Sequence, residues 1–349
     1  MHGRKASGGR PRGLFTRGAS GAGRARFWLF ALVNLAAGVL LVVAIESYSP
    51  STPDLRNIEE LRLRLQARFG QACGLRDLRV GFRPGPRHGE PGVGVAFSVG
   101  GDAWRDRPAM ESLMDAVCRR VVIDYPAHAA SVEVFVHPPS ETPDARPPGR
   151  LQMMRTYAEI VDSLSETEIA ELGAGRWAAS SPSDRWRLVV IHHSATDSGS
   201  AAAFDRYHRD EKGWDGLGYH FVIGNGRGSA DGLVEVGRRW RLQEDGAHAG
   251  VAEANRVGIG VCLVGNFGKT LPTAAQMASL RCLCRWLHAE CRMPYSSIVG
   301  HRDIKATDCP GKGFPMAELI EELGRPAGSA GAASPEARQG RPPSEPSPR

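Results

Sequence analysis

Residues 27–45 read FWLFALVNLAAGVLLVVAI, nineteen positions without a charge, broken only by the neutral amide of Asn34 and by Gly38. A helix of that length just spans a hydrocarbon core of ~30 Å, for which ~20 apolar residues are expected. Seven basic residues (Arg4, Lys5, Arg10, Arg12, Arg17, Arg24, Arg26) and no acidic one precede Ile45, whereas Glu46, Asp54 and Glu59 follow. The positive-inside bias then keeps residues 1–26 in the cytoplasm as a basic tail and sends the rest across the membrane. We read 27–45 as an uncleaved transmembrane signal anchor. The rival, a cleaved signal peptide ending near Val42-Val43-Ala44, normally has an apolar stretch of only ~7–15 residues, and it would release the same exported chain as a secreted protein.

This segregation changes the meaning of the net charge. The 349 residues carry 44 basic and 38 acidic side chains, +6 overall, yet removing the first 45 leaves 37 against 38. A near-neutral folded part lacks the clustered Lys/Arg that phosphate affinity requires, so no nucleic-acid partner is expected. Hydrophobic residues make up 42%, enough for a sizeable core, and seven cysteines in this length do not form a disulfide scaffold.

Beyond the anchor, residues 51–137 read as a small α+β domain of unknown role. Ile58, Leu61, Leu65 and Phe69 recur at helical spacing, residues 78–82, 93–99 and 131–137 alternate as strands, and 110–122 is helix-like. His88, His128 and His137 have no ligand-like spacing and are read as surface or strand-end residues. Residues 138–150 form a Pro-rich linker, 151–183 a largely helical connector, and 326–349 a disordered tail rich in Pro, Gly, Ala and Ser.

Seven of the eleven histidines fall between His192 and His301, which marks residues 184–325 as the place to look for chemistry. Strands are expected at 187–193, 218–224, 233–237 and 259–264. The loop GNGRGS (224–229) joins two of them and opens no helix, so it reads as a hairpin connection and not a phosphate loop. Thr273 and Gln276 form a capping box for a helix. Its Met277, Leu280, Cys284, Leu287 and Cys291 mark a packing face, and Arg281, Arg285, His288 and Arg292 a polar one, with His288 read as solvated surface. The fold class is therefore α/β: a central mixed β-sheet flanked by helices, preceded by the transmembrane helix and the small α+β domain. At its end, GHRDIKATDCPG (300–311) sets His301 and Cys309 eight residues apart on one loop. Imidazole and thiolate are preferred zinc ligands, and a third ligand from elsewhere would leave a fourth position open, as in catalytic sites.

Five motifs, IHHSAT (191–196), GWDGLGYHF (213–221), GAHAG (246–250), NRVGIGVCLVG (255–265) and GHRDIKATDCPG (300–311), resemble in order and spacing the zinc-dependent N-acetylmuramoyl-L-alanine amidases of the peptidoglycan recognition protein and bacteriophage lysozyme-type group. The resemblance covers about residues 184–325. It implies a hydrolase that cleaves the lactyl–L-Ala amide of peptidoglycan with a zinc-activated water. It also implies Zn2+ held by His192, His301 and Cys309. Tyr219 and Thr307 match catalytic positions, read here as transition-state stabiliser and water positioner. His248 and Asn255 sit in loops matching positions that line the substrate groove, with a turn-stabilising role as the alternative, and Trp214 is a groove wall or core residue. His193 and His220 are expected to face away from their neighbours His192 and Tyr219. Some zinc amidases with related cores carry a Glu where this chain has Cys262, so the proton-transfer route departs from theirs.

Two rivals remain at this level. A non-catalytic peptidoglycan-binding receptor on the same fold is disfavoured by the Cys ligand, which receptors of the group commonly lack. A cysteine hydrolase built on Cys309 lacks a recognisable signature. Export fits a wall substrate: the chain is expected to be a single-pass protein of the cytoplasmic membrane with its catalytic domain outside the cytoplasm. After alkaline carbonate extraction the full chain should stay in the membrane pellet, and a chain starting at residue 50 should not; release of the full chain would refute the anchor.

Overall fold

The computed structural model describes residues 55–84, 91–100, 103–125, 127–138 and 150–327. The basic tail, the apolar run 27–45, most of the Pro-rich linker and nearly all of the C-terminal tail lie outside them. Among the described residues no helix is long and apolar enough to cross a membrane.

The first half builds a four-stranded sheet. Helix α1 (Leu55–Phe69) leads into β1 (Leu75–Pro84) and β2 (Pro91–Val99), and α2 (Arg107–Asp124) crosses to β3 (Ser131–His137) and β4 (Leu151–Thr156). The sheet order is β1-β2-β3-β4, with β2 and β3 parallel and both outer pairings antiparallel. Strand alternation dictates its inner face: Val93, Val95, Phe97, Val132, Val134 and Val136 are buried in one cluster with Leu61, Leu65, Met114 and Val117 of the two helices.

Residues 151–183 depart from the expected helical connector. Leu151–Thr156 is the fourth strand, pairing Leu151 with Val136 and Thr156 with Ser131. Its alternation was hidden by a six-residue length and by the linker before it. Thr156 then caps α3 (Tyr157–Asp162) and Ser165 caps α4 (Glu166–Arg176), each through a reciprocal capping box with Glu159 and Glu168. Such a cap is typically worth ~1 kcal/mol.

The second half carries the mixed sheet that the sequence predicts. Strands β5 (Leu188–His193), β6 (Phe221–Ile223), β7 (Val234–Val236), β8 (Gly258–Leu263) and β9 (Ile298–Gly300) lie in the order β7-β6-β8-β5-β9. Only β7 is antiparallel to its neighbour. Strand β6 is shorter than the expected 218–224, because residues before Phe221 turn away: the Gly218 amide donates to His208 Nδ1 (3.1 Å). Helices α5 (Ala201–Asp210), α6 (Arg238–Arg241), α7 (Ala252–Val257), α8 (Ala274–Cys291) and α9 (Met316–Leu323) complete the fold.

One sheet face, with Val189, Ile191, Phe221, Ile223, Ile259, Val261 and Leu263, packs on Leu280, Leu283, Cys284 and Leu287 of α8. The opposite face holds Val222, Cys262 and Val264 with Phe204 of α5 and Tyr219. Helix α8 begins at Thr273 through the predicted box with Gln276. Its polar side, however, is not bathed in solvent. Arg281 pairs with Asp162 (2.7 Å) and Glu322, Arg285 reaches Glu166 (3.4 Å), and half-buried His288 stacks on Tyr295 at 4.2 Å. Helices α3, α4 and α9 cover it. Trp177, Trp286, Trp240 and Trp186 run in contact across this region at centroid separations of 5.7, 5.9 and 5.9 Å. Each such pair adds ~0.5–1.5 kcal/mol beyond its area.

The two sheets share this core: one cluster of buried side chains runs from Ile58 to Leu323. His128, expected at a surface or strand end, is buried inside it with its ring 4.4 Å from that of Tyr157. Burial, helped by the charge of Arg176 and only partly offset by the Asp231 backbone, holds its pKa down to about 3 from an ordinary 6.5. Between those values the unfolded chain binds the extra proton, so this residue's contribution to stability is complete above pH 6.5 and falls with decreasing pH by at most ~1.4 kcal/mol per unit. Urea unfolding at pH 7.5 and 5.0 should show a larger loss for the wild type than for His128→Leu, by about 1–2 kcal/mol; equal losses would refute it.

Candidate active site

Register brings the histidines together. Ile191 of β5 pairs with Gly300 of the parallel neighbour β9, so the next residue of each, His192 and His301, emerge side by side at the carboxyl ends of the strands, with ring centroids 4.5 Å apart. Ligand sites of open α/β sheets lie at that end. The loop after β9 then returns to deliver Cys309. The Asp303 carboxylate accepts from the Gly300 amide (2.7 Å), the Arg302 amide donates to the Cys309 carbonyl (2.9 Å), and the Arg302 guanidinium holds the Gly311 carbonyl. Thr307 is exposed, and its hydroxyl accepts from the Cys309 amide (3.3 Å). Thr307 thus shapes the ligand loop.

The candidate ligand atoms of His192, His301 and Cys309 all lie within 4.8 Å of one another, the only such group of three or more His, Cys, Asp or Glu among the described residues. His192 Nδ1 stands 3.7 Å from Cys309 Sγ, and the His193 amide donates to the same sulfur (3.4 Å). Burial and the neighbouring imidazoles of His248, His301 and His193 keep His192 well below its ordinary pKa, and burial also lowers His301. Both rings are neutral at pH 7 and can offer lone pairs. Burial pushes the Cys309 thiol up to about 11, against the lowering effects of the His193 amide and Arg302. A nucleophilic cysteine needs the reverse shift, whereas a bound cation takes the place of the proton. Two imidazoles and one thiol suit zinc with a position left open.

Tyr219 borders this group, its ring 5.3 Å from that of His192. Burial, with Cys262 and Cys309 nearby, raises its phenol well above 10, so it is a hydrogen-bond donor at neutral pH and not a base. Cys262 sits beside His192 in register, fully buried, and burial raises its thiol too. Trp214 is 41% exposed, and its ring lies 4.7 Å from that of His208, which is 5.8 Å from that of Tyr219. A line of aromatic rings therefore leads from the surface to the ligands. Sequence reasoning left His208 unassigned, although it belongs to the histidine cluster.

His248 and Asn255 are engaged within the protein. His248 is 8% exposed, with Nδ1 3.0 Å from His192 Nε2 and Nε2 3.2 Å from the Gly258 carbonyl. The Asn255 side-chain oxygen accepts from the amides of His248 (2.9 Å) and Ala249 (2.8 Å). His193 points to the α8 face as expected, its Nδ1 accepting from the Phe267 amide (3.1 Å). His220 is fully buried, accepting from the Gly260 amide at Nδ1 (3.0 Å) with Nε2 3.1 Å from the Glu244 carbonyl. Arg302, Asp303 and the carbonyls of Ala249 and Gly258 were not singled out from sequence. Each acts on a partner that only the fold reveals.

Comparison with known proteins matches the stretch of chain that holds these residues. The family Amidase_2, described as N-acetylmuramoyl-L-alanine amidase, matches residues 182–312. The N-acetylmuramoyl-L-alanine amidase of Sus scrofa is 37% identical over 139 residues, 36% of this chain and 21% of that protein. Peptidoglycan recognition protein 1 of Bos indicus is 33% identical over 152 residues, 39% of this chain and 76% of that protein. A solved Clostridium intestinale endolysin amidase is 29% identical, covering 43% of this chain and 92% of that one with a TM-score of 0.36. The chain spans only about a fifth of the length of the pig amidase. With the five motifs folded around one site, the chain belongs, through residues 182–312, to the N-acetylmuramoyl-L-alanine amidase family that includes the peptidoglycan recognition proteins.

Proposed function

We propose that the chain is a zinc-dependent N-acetylmuramoyl-L-alanine amidase that hydrolyses the amide between the lactyl group of N-acetylmuramic acid and the first L-alanine of the stem peptide. The observation that carries the reading is the convergence of His192, His301 and Cys309 beside the Tyr219 phenol. His192, His301 and Cys309 would hold the ion. Zinc supplies a Lewis acid and lowers the pKa of a water toward ~7.

The chain's own residues do the rest. The Tyr219 hydroxyl, kept protonated by burial, donates to the oxygen on which charge develops as the carbonyl becomes tetrahedral. Thr307 holds the Cys309 loop, and the exposed face of Trp214 offers a wall to the substrate. The apolar run 27–45 and the charge asymmetry around it support a single-pass anchor in the cytoplasmic membrane, with the catalytic domain on the side where the wall lies.

Incubation with purified peptidoglycan should release free stem peptides, detected by mass spectrometry, and chelation should stop it. Cys309→Ser should lose stoichiometric zinc and zinc-dependent turnover; full activity in that variant would refute the reading. Tyr219→Phe should lower kcat by about 10²-fold with little change in KM, the usual cost of one oxyanion donor. Wall binding without released peptides would make the protein a receptor.

A further inference from the structure

The His248 ring lies in a slot made for it. A Cβ at Gly246 would stand 2.3 Å from His248 Cδ2, and one at Gly260 would stand 2.4 Å from the same atom. Both positions must therefore lack a side chain for the ring to fit. Its two nitrogens contact unlike partners, His192 Nε2 at 3.0 Å and the Gly258 carbonyl at 3.2 Å. A backbone carbonyl can only accept, so His248 Nε2 carries the hydrogen. A neutral imidazole has one N–H, which leaves Nδ1 as an acceptor, and His192 Nε2 must then donate to it. The hydrogen of His192 is thereby kept on the side away from Cys309. The opposite arrangement would set two lone pairs against each other at Gly258 and place the His192 hydrogen on Nδ1, facing the sulfur.

The second histidine is fixed from the same place. His301 Nε2 lies 3.1 Å from the Ala249 carbonyl, so it too carries its hydrogen there and keeps Nδ1 as the lone-pair nitrogen. Residues 248 and 249 are in turn held by the Asn255 side chain through both of their amides. We infer that His248 is a positioning residue, which fixes the tautomer of His192, and that residues 248–249, tied down by Asn255, form one brace orienting both histidine ligands. The brace rests on the metal-site reading above for its purpose, and of the two roles open to His248 and Asn255, groove contact and turn stabilisation, it develops the second into ligand orientation. Ligand-orienting hydrogen bonds of this kind are typically worth ~10–100-fold in metal affinity.

The test uses the full chain in detergent with 15N-labelled histidine. In the wild type stripped of metal, the ring resonances of His192, His248 and His301 should all report Nε2–H, with assignments made by loss of each signal in single variants. Zinc affinity is read separately, by competition with a chromophoric chelator. His248→Phe, which can neither accept nor donate, should weaken zinc binding by roughly 10–100-fold and leave His192 as a mixture of tautomers. His248→Gln, which can do both, should recover most of the loss. A His192 ring in the Nδ1–H form, or a Phe variant that binds zinc within about twofold of wild type, would overturn the inference. So would unchanged zinc affinity with weakened binding of a muramyl peptide, which would return His248 to the groove. If the wild type binds no zinc, the metal-site reading fails, while the ring assignments still decide the relay. Should His248→Phe not fold, as judged by circular dichroism, the wild-type spectra and the Gln variant suffice.

Discussion

Two imidazole rings and a thiol converge on one point with only a long contact between them, His192 Nδ1 to Cys309 Sγ at 3.7 Å. Buried polar atoms without partners are costly, so such a cluster persists only if the surroundings fix it. Here the surroundings act by occupying the far side of each ligand. His192 is bonded behind to His248, His301 to the Ala249 carbonyl, and the Cys309 sulfur accepts the His193 amide. The atoms that face inward are the candidate ligand atoms. A cation placed there would meet donors already held in position, and the same desolvation that keeps the imidazoles neutral would make them good ligands.

The sheet explains why the three meet at all. Parallel pairing of β5 with β9 makes successive strand ends coincide, so two residues more than a hundred positions apart become neighbours without any long loop having to find its way. Cys309 is the only ligand that depends on a loop, and the residues around it are accordingly spent on bracing: Asp303 turns the chain back on Gly300, and Arg302 grips residues 309 and 311. In the stretch GHRDIKATDCPG, then, one side chain supplies a nitrogen, one supplies a sulfur, and much of the rest sets the distance between them.

Much of this was legible in the sequence, and the failures share a cause. Apolar periodicity marked α8 and the strands, the Thr273–Gln276 box marked a helix start, and histidine clustering marked the site. Periodicity tells which face is apolar, not what covers the polar one. Arg281 and Arg285 therefore read only as part of a polar face, and their partners Asp162, Glu166 and Glu322 come from other helices. Strand β4 was missed because its six residues gain their identity from β3, across a linker. His248 and Asn255 were found with two roles open, groove contact or turn stabilisation, since spacing can bring a residue to a site without saying whether it faces the substrate or the protein behind it; the Asn255 bonds to residues 248 and 249 are of the second kind.

The same reasoning bears on the first half of the chain. Its sheet does not hang from a tether: β4 runs straight into α3, whose Tyr157 hydroxyl lies 3.3 Å from Ser279 Oγ on α8, while Gly173 of α4 lets the Trp286 ring approach so closely that a Cβ would stand 2.2 Å from its Cδ1. Arg119 and Arg120 of α2 pair with Glu168 and Glu171 of α4, and Arg176 donates to the Val122 carbonyl (2.6 Å). Helix α8, which packs on the inner face of the second sheet, is thus clamped from behind by elements belonging to the first sheet's layer. A small sheet with a candidate metal site at its edge would tolerate little play, because displacements of an ångström at a ligand or donor are costly in binding and rate. On this packing the first half forms the back wall of the half that carries the candidate site.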